Sequence, residues 1–308
     1  MSPHEIESYK KAGKIAAQLK KYVREIVKPG EKLIDIALKI DDKIEELGAE
    51  PAFPVNLSLN EIAAHFTPDL ESKEVVEGLL KVDMGIHVDG YIADTAICFD
   101  FTENGEHAKM IELNKNILNN IMKIVKPGIM VREIGHSAQK TLEEFNKEKK
   151  TDYSIVRNLC GHNVERNVIH AGLTIQNIKN ENKTILKDIA IAVEPFVTTG
   201  TGKIYEGKGG GIYALQNDVS VRDKSSREVL DFIKENYKTR PFCTRWLEKA
   251  GLKGIKFAMK NLVDQGIVHH YPLLIEEGKE PVSQFENTFL ITGDEAVVTT
   301  FEEGWMGK

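Results

Sequence analysis

The pentapeptide Ile26-Val27-Lys28-Pro29-Gly30 recurs as Ile124-Val125-Lys126-Pro127-Gly128, 98 residues further along a chain of 308. Each copy closes a segment with helical spacing of apolar residues. Residues 4–27 carry Ile15, Leu19, Val23 and Ile26, and residues 106–125 carry Ile111, Ile117, Ile121 and Ile124. A second helix is predicted after each copy, over 33–47 and over 131–147, and then a strand region, 51–100 in the first half and 153–200 in the second. Two αα-β halves related by duplication predict pseudo-two-fold symmetry, with a site where the halves meet. The first helix has its own start signal, since Ser2-Pro3-His4-Glu5 reads as a capping box with proline at the first helical position.

The pattern breaks between about 205 and 268. A glycine-rich stretch, Gly207 to Gly211, precedes helical segments at 226–237, 243–250 and 255–265, and 266–271 reads as a strand. Three helices and a strand of this size are expected to form a winged-helix-like subdomain inserted in the second half. The predicted organisation is α+β, with one catalytic domain over 1–204 and 269–308 and the insert over 205–268. Residues 202–209 approximate a phosphate-binding loop, but Gly209 stands where the magnesium-binding hydroxyl must be. The stretch is therefore read as a flexible connector.

Composition excludes several classes. Charged residues make up 29% and hydrophobic residues 41%, and no window reaches the ~18 consecutive apolar residues of a membrane span. No basic-then-apolar leader precedes the first helix, so a cytoplasmic location is expected. Cys98, Cys160 and Cys243 are too far apart for a zinc ribbon and too few for a disulfide framework. Net charge is −6, which argues against sequence-specific nucleic-acid binding. Residues 221–270 hold 11 Lys/Arg against 6 Asp/Glu, and this local surplus is read as a solvated helix face.

The chemistry is concentrated in acids set within apolar strands. Asp83 and Asp94 flank Asp89-Gly90, a dipeptide that favours a two-residue hairpin turn because both positions tolerate φ > 0. Such a turn pairs Gly85 with Asp94 and Asp83 with Ala96, and sets the two aspartates diagonally on one face, roughly 7–8 Å apart or a little less. Val82, Met84 and Ile86 make the opposite face apolar. Glu194 follows an apolar run, Glu286 follows Gln284-Phe285, and His162 follows Gly161. Buried acids are costly without compensation, and two divalent cations would neutralise four carboxylates. Four carboxylates with one imidazole suit Mn, Fe or Co, and less obviously Zn. His65 and His170 could polarise a carbonyl or hold a substrate; an ordinary hydrogen-bonded histidine is the open alternative for each.

Taken together, Ala63-Ala64-His65-Phe66-Thr67-Pro68, the hairpin Asp83 to Asp94, Gly161-His162, Ile169-His170-Ala171-Gly172, Val193-Glu194-Pro195-Phe196 and Gln284-Phe285-Glu286 resemble the type II methionine aminopeptidases in their short, archaeal form. The resemblance covers essentially the whole chain. It implies the pita-bread (creatinase/aminopeptidase) fold and a dinuclear centre of Co, Mn, Fe or Zn held by Asp83, Asp94, His162, Glu194 and Glu286. Glu194 is implied to take a proton from the attacking water as well. His65 and His170 are implied to lie beside the scissile peptide and to donate hydrogen bonds to it, and Phe53, Ile169 and Tyr271 to line the methionine pocket with them. The implied substrate is the N-terminal segment of a nascent polypeptide with a small second residue. The implied protein is a monomer with the ribosome as a candidate partner and no membrane contact. An X-Pro peptidase of the same fold and a non-catalytic binding relative are the alternatives. None of the five ligand positions is replaced, which argues against the second.

Overall fold

The computed structural model describes residues 1–302 and 304. Helix α1 (Pro3–Ile26) opens on the expected capping box, with Ser2 Oγ accepting from the Glu5 amide and Glu5 Oε2 accepting from the Ser2 amide. Then come α2 (Leu33–Glu46), β1 (Glu50–Leu59), β2 (Ile62–Ala64), β3 (Leu79–Val88) and β4 (Tyr91–Asp100). The second half runs α3 (Ala108–Ile124), α4 (Val131–Lys149), β5 (Ser154–Ile155), β6 (Cys160–Val164), β7 (Thr174–Gln176), β8 (Ile189–Val193) and β9 (Phe196–Thr198).

The duplication is repeated bond for bond. After the first Pro-Gly, the Gly30 amide donates to Val76 O and the Leu33 amide to Glu74 O, both at 2.9 Å. After the second, the Gly128 amide donates to Leu186 O and the Val131 amide to Thr184 O, again both at 2.9 Å. Gly30 and Gly128 sit at φ +79° and +84°, a region open to glycine at no steric cost. The repeated pentapeptide is thus a turn that hands each first helix to its second.

Strands β1, β3 and β4 form one sheet in the order β1-β3-β4. The helices pack on one side of the sheets. The largest apolar cluster joins Leu19 of α1, Ile36 of α2, Ile117 of α3 and Ile134 of α4 to Val82 of β3 and to Ile191 and Val193 of β8. Burying each such side chain contributes about 1.5–3 kcal/mol. Because side chains alternate along a strand, the residues between these point to the other face, where the halves meet. No helix among the described residues is long and apolar enough to cross a membrane.

The remaining elements are β10 (Ile204–Leu215), α5 (Lys224–Asn236), β11 (Phe242–Cys243), α6 (Thr244–Lys249), α7 (Ile255–Asp264), β12 (Val268–Glu276), β13 (Val282–Gln284), β14 (Asn287–Ile291) and β15 (Ala296–Val298). Strands β14 and β15 extend β8, β6 and β7 into a five-stranded sheet, and β13 pairs β9. Val229, Ile233, Phe242, Leu247 and Leu262 belong to an apolar cluster separate from the main one.

The glycines at 207–211 are not a flexible connector but the middle of β10, paired to β12, which in turn pairs β2. The reason is close packing. A Cβ on Gly209 would lie 1.8 Å from the His270 ring, and one on Gly210 would lie 1.7 Å from the His65 carbonyl oxygen. The basic surplus of 221–270 also differs from a face that is merely solvated. Arg240, Arg245, Lys249 and Lys256 reach Glu50, Asp41, Asp42 with Glu45, and Glu71 in the first half. Residues 303 and 305–308 of the expected unit 269–308 lie outside the described residues.

Candidate metal centre

Asp89 and Gly90 take φ +54° and +87°, and the β3–β4 register is the one such a turn dictates, Gly85 opposite Asp94 and Asp83 opposite Ala96. Gly85 leaves room for the Phe53 ring of β1, since a Cβ there would be 2.1 Å from it. On this face the Asp83 and Asp94 carboxyls are close enough that the charge of Asp83 raises the pKa of Asp94. His162 lies on β6 opposite Ala192 of β8, and Glu194 directly follows β8. Glu286 enters between β13 and β14, its amide donating to Ala96 O at 3.1 Å. Behind it, Thr288 Oγ accepts from the Asp94 amide and donates to Asp94 O, both at 2.8 Å. The two halves are stitched together beneath the acids.

His162 Nε2 stands 3.6 Å from Asp94 Oδ2 and 3.7 Å from Glu194 Oε1. One ligand atom each from Asp94, His162 and Glu286 fall within 4.8 Å of one another. Burial pushes the Asp83 carboxyl up to about 7, and burial with mutual repulsion pushes Asp94, Glu194 and Glu286 well above the ordinary carboxylate range. Burial pushes His162 down to about 3, so its imidazole is neutral. Its Nδ1 points at the Asn163 carbonyl, 3.4 Å away, which leaves the Nε2 lone pair facing the acids. Asp83 Oδ1, Asp94 Oδ1 and Glu286 Oε1 are buried without a hydrogen-bond partner. Lone pair against carboxylate, with orphaned oxygens around it, is an arrangement that a bound cation resolves without protonating the acids. Lys20 is buried close behind, but its Nζ donates to Asn287 Oδ1 at 3.1 Å, and burial pushes it down to about 7. The donor set fits divalent metal.

A cavity of about 240 Å³ opens beside the acids. Phe53, His65, Ile169, His170 and Tyr271 line it, as do Asp83, Asp94, His162 and Glu194, whereas Glu286, 1% exposed, lies beneath. His170 is exposed, with its ring edge against His162 at 4.4 Å between centroids. His65 sits at φ +70°, its amide donating to Asn56 Oδ1 at 2.7 Å. Its Nδ1 lies 3.1 Å from the Pro272 carbonyl, which can only accept, so the ring proton is on Nδ1 and Nε2 carries the lone pair. Burial pushes His65 down to about 4, which keeps it neutral.

Sequence reasoning assigned no role to several residues in and around the site. Gln284 donates to Glu194 Oε2 at 3.2 Å and lies 3.5 Å from Asp83 Oδ2. Its position two residues before Glu286 was a usable signal. Asn56, and the walls Ile212 and Pro241 supplied by residues 205–268, had none, because only the tertiary fold brings them to the pocket.

Residues 7–223 match Metallopeptidase family M24. The chain is 40% identical over 301 residues to the methionine aminopeptidase of Thermococcus kodakarensis, covering 96% of this chain and 99% of that protein. It is 36% identical over 304 residues to the methionine aminopeptidase of Methanocaldococcus jannaschii, with the same 96% and 99% coverage. Among solved structures the fold matches a thermophilic Arx1 with a TM-score of 0.80 at 19% identity, covering 99% of this chain and 93% of that one. It matches the methionine aminopeptidase of Thermotoga maritima at 0.69 and 23%, covering 98% of each. It also matches the prolidase of Pyrococcus furiosus at 0.60 and 18%, covering 98% of this chain and 65% of that one. The architecture is the pita-bread fold these structures share. With near-complete coverage of the archaeal sequences, the chain belongs to the M24 metallopeptidases and, within them, to the methionine aminopeptidases of archaeal form.

Proposed function

We propose that this chain is a two-metal aminopeptidase that removes the initiator methionine from nascent proteins and peptides with a small second residue. The observation that carries the reading is the set of partnerless buried oxygens, on Asp83 and Asp94 in the wall of a largely apolar pocket and on Glu286 beneath it, gathered around the His162 lone pair. Asp83, Asp94, His162, Glu194 and Glu286 would hold two divalent ions, and this mixed oxygen and nitrogen set accepts Co, Mn, Fe or Zn. When bound, such ions supply the missing positive charge and activate a water for attack on the peptide carbonyl.

The chain's own groups do the rest. Glu194 keeps 14% of its side chain exposed against 5% for Asp94, so it is the acid of that pair best placed to take a proton and pass it to the leaving amine. His170, open to the cavity, donates to the oxygen on which charge develops. His65 takes the complementary part. With its ring proton committed to Pro272 O, its Nε2 accepts from the scissile amide N–H and does not donate to the oxyanion. Phe53, Ile169 and Tyr271 receive the methionine side chain.

The same reading takes residues 1–204 and 269–308 as the catalytic unit and 205–268 as a winged-helix-like insert, supported by the separate apolar cluster of the latter. It describes a cytoplasmic monomer acting on chains as they leave the ribosome. Turnover of Met-Ala-Ser, Met-Lys-Ser and Ala-Pro peptides by the metal-loaded protein tests it. Rapid methionine release from the first alone is expected. Equal rates on the first two would remove the size filter, and preference for Ala-Pro would make the chain an X-Pro peptidase.

A further inference from the structure

The loop that follows β2 carries His65 in a left-handed conformation, at φ +70°, a region uncommon for a residue with a Cβ. Its surroundings hold it there from three sides. Asn56 takes the His65 amide at 2.7 Å. The Thr67 amide donates to Gly210 O at 2.9 Å, on a strand that approaches so closely that a Cβ on Gly210 could not fit against His65 O. The third hold comes from Arg245 of α6, 2% exposed and among the largest fully buried side chains. Its Nη1 donates to Pro68 O at 2.6 Å and to Thr67 Oγ1 at 3.3 Å. Its Nε and Nη2 donate to Asp41 Oδ2 of α2 at 3.2 and 3.1 Å, and the neighbouring Trp246 Nε1 donates to the same oxygen at 2.9 Å.

A rigid, planar fork is used on both edges, one gripping the loop and the other anchored to α2. An apolar side chain of similar volume would hold these elements together at least as well. What a guanidinium adds is direction. We propose that Arg245 is a positioning residue for methionine removal: by fixing Thr67 and Pro68 against Asp41, it sets the direction in which His65 presents Nε2 to the scissile bond. The region 205–268 thereby belongs to the catalytic apparatus and is more than a wall of the cleft. This rests on the functional reading given above for His65.

The test uses the full-length, metal-loaded protein. The paired substitution Asp41→Leu with Arg245→Met leaves no unpaired buried charge, and Thr67→Val removes a single acceptor from the grip. For the paired variant, metal stoichiometry and KM for Met-Ala-Ser should stay near wild type while kcat falls by about 10²-fold, the scale expected for misplacing a reacting group. Thr67→Val should lose a smaller part of kcat. In a His65→Ala background both losses should vanish, because the group being positioned is gone. The Nδ1–H resonance of the imidazole, which reports the bond to Pro272 O, should broaden or move in both variants. Unchanged kcat in folded, metal-loaded variants would overturn the proposal, as would an equal loss with and without His65. If the paired variant fails to fold, Thr67→Val decides by the same cycle. An inactive wild-type protein would count against the functional reading, and the imidazole resonance would still decide whether Arg245 positions His65.

Discussion

Two buried ionic clusters lie on either side of the His65 loop, and they are built on opposite rules. At Asp41, a guanidinium and an indole N–H meet one carboxylate, and only Asp41 Oδ1 lacks a partner. At Asp94, acids meet acids, with Asp83 and Glu194 raising its pKa and three buried oxygens in the cluster left partnerless. The first cluster is internally balanced, and its work is to hold three elements in register. The second is balanced only by something the chain does not contain. Charge balance, more than burial or residue type, separates a structural ionic cluster from a metal centre.

The largest expected effects break that contrast directly. Asp94→Ala should abolish metal loading and activity while the fold survives, because the Asp94 backbone keeps both bonds to Thr288. Asp41→Ala should do the reverse, destabilising the fold by about 3–5 kcal/mol through a stranded guanidinium. Whatever remains folded should still bind metal. Metal analysis with thermal unfolding on the two variants reads both effects, and identical signatures would dissolve the distinction. Next in size, His65→Ala should lower kcat by about 10²-fold at unchanged metal content, the scale for losing orientation of the scissile amide. Metal loss from that variant would make His65 a ligand. Gln284→Leu, which removes the donor to Glu194, should weaken metal affinity by about 10–100-fold, with kcat at saturating metal nearly intact.

The smallest effect is a pH slope. In the metal-free protein the folded state keeps protons on Asp83, Asp94, Glu194 and Glu286 that the unfolded chain releases above its ordinary carboxylate range. The folded state therefore binds more protons, and these groups make metal-free stability fall as pH rises from about 4 through the Asp83 value of about 7. Bound metal should flatten or reverse the slope. Denaturant midpoints across that range, with and without chelator, measure it.

Much of this was legible in the sequence because it is local. The Asp-Gly turn fixes the register of β3 and β4, and that register alone puts Asp83 and Asp94 on one face. The repeated Pro-Gly pentapeptide marks the duplication for the same reason, a turn with a single solution. What could not be read depends on contacts between distant segments. The bulges between Pro51 and Asn56 decide that Asn56 lies opposite Asp83, and no local pattern announces them. A glycine run reads as flexible when its neighbours are unknown. Here it is rigid because His65 and His270 occupy the space its side chains would need. Whether a charged residue faces water or another acid is likewise hidden, so Arg245 looked like one more solvated cation. The direction of the His65 hydrogen bond was also out of reach, since it is set by a carbonyl 207 residues away.

The most direct test of the metal centre is a titration of the chelated protein with Mn²⁺ or Co²⁺, following bound metal and methionine release from Met-Ala-Ser in the same samples. Activity is expected to be absent without metal and to rise with occupancy of a site that disappears in Asp94→Ala. Full activity in the metal-free protein, or metal uptake unaffected by loss of Asp94, would contradict the assignment of these buried acids to a metal centre.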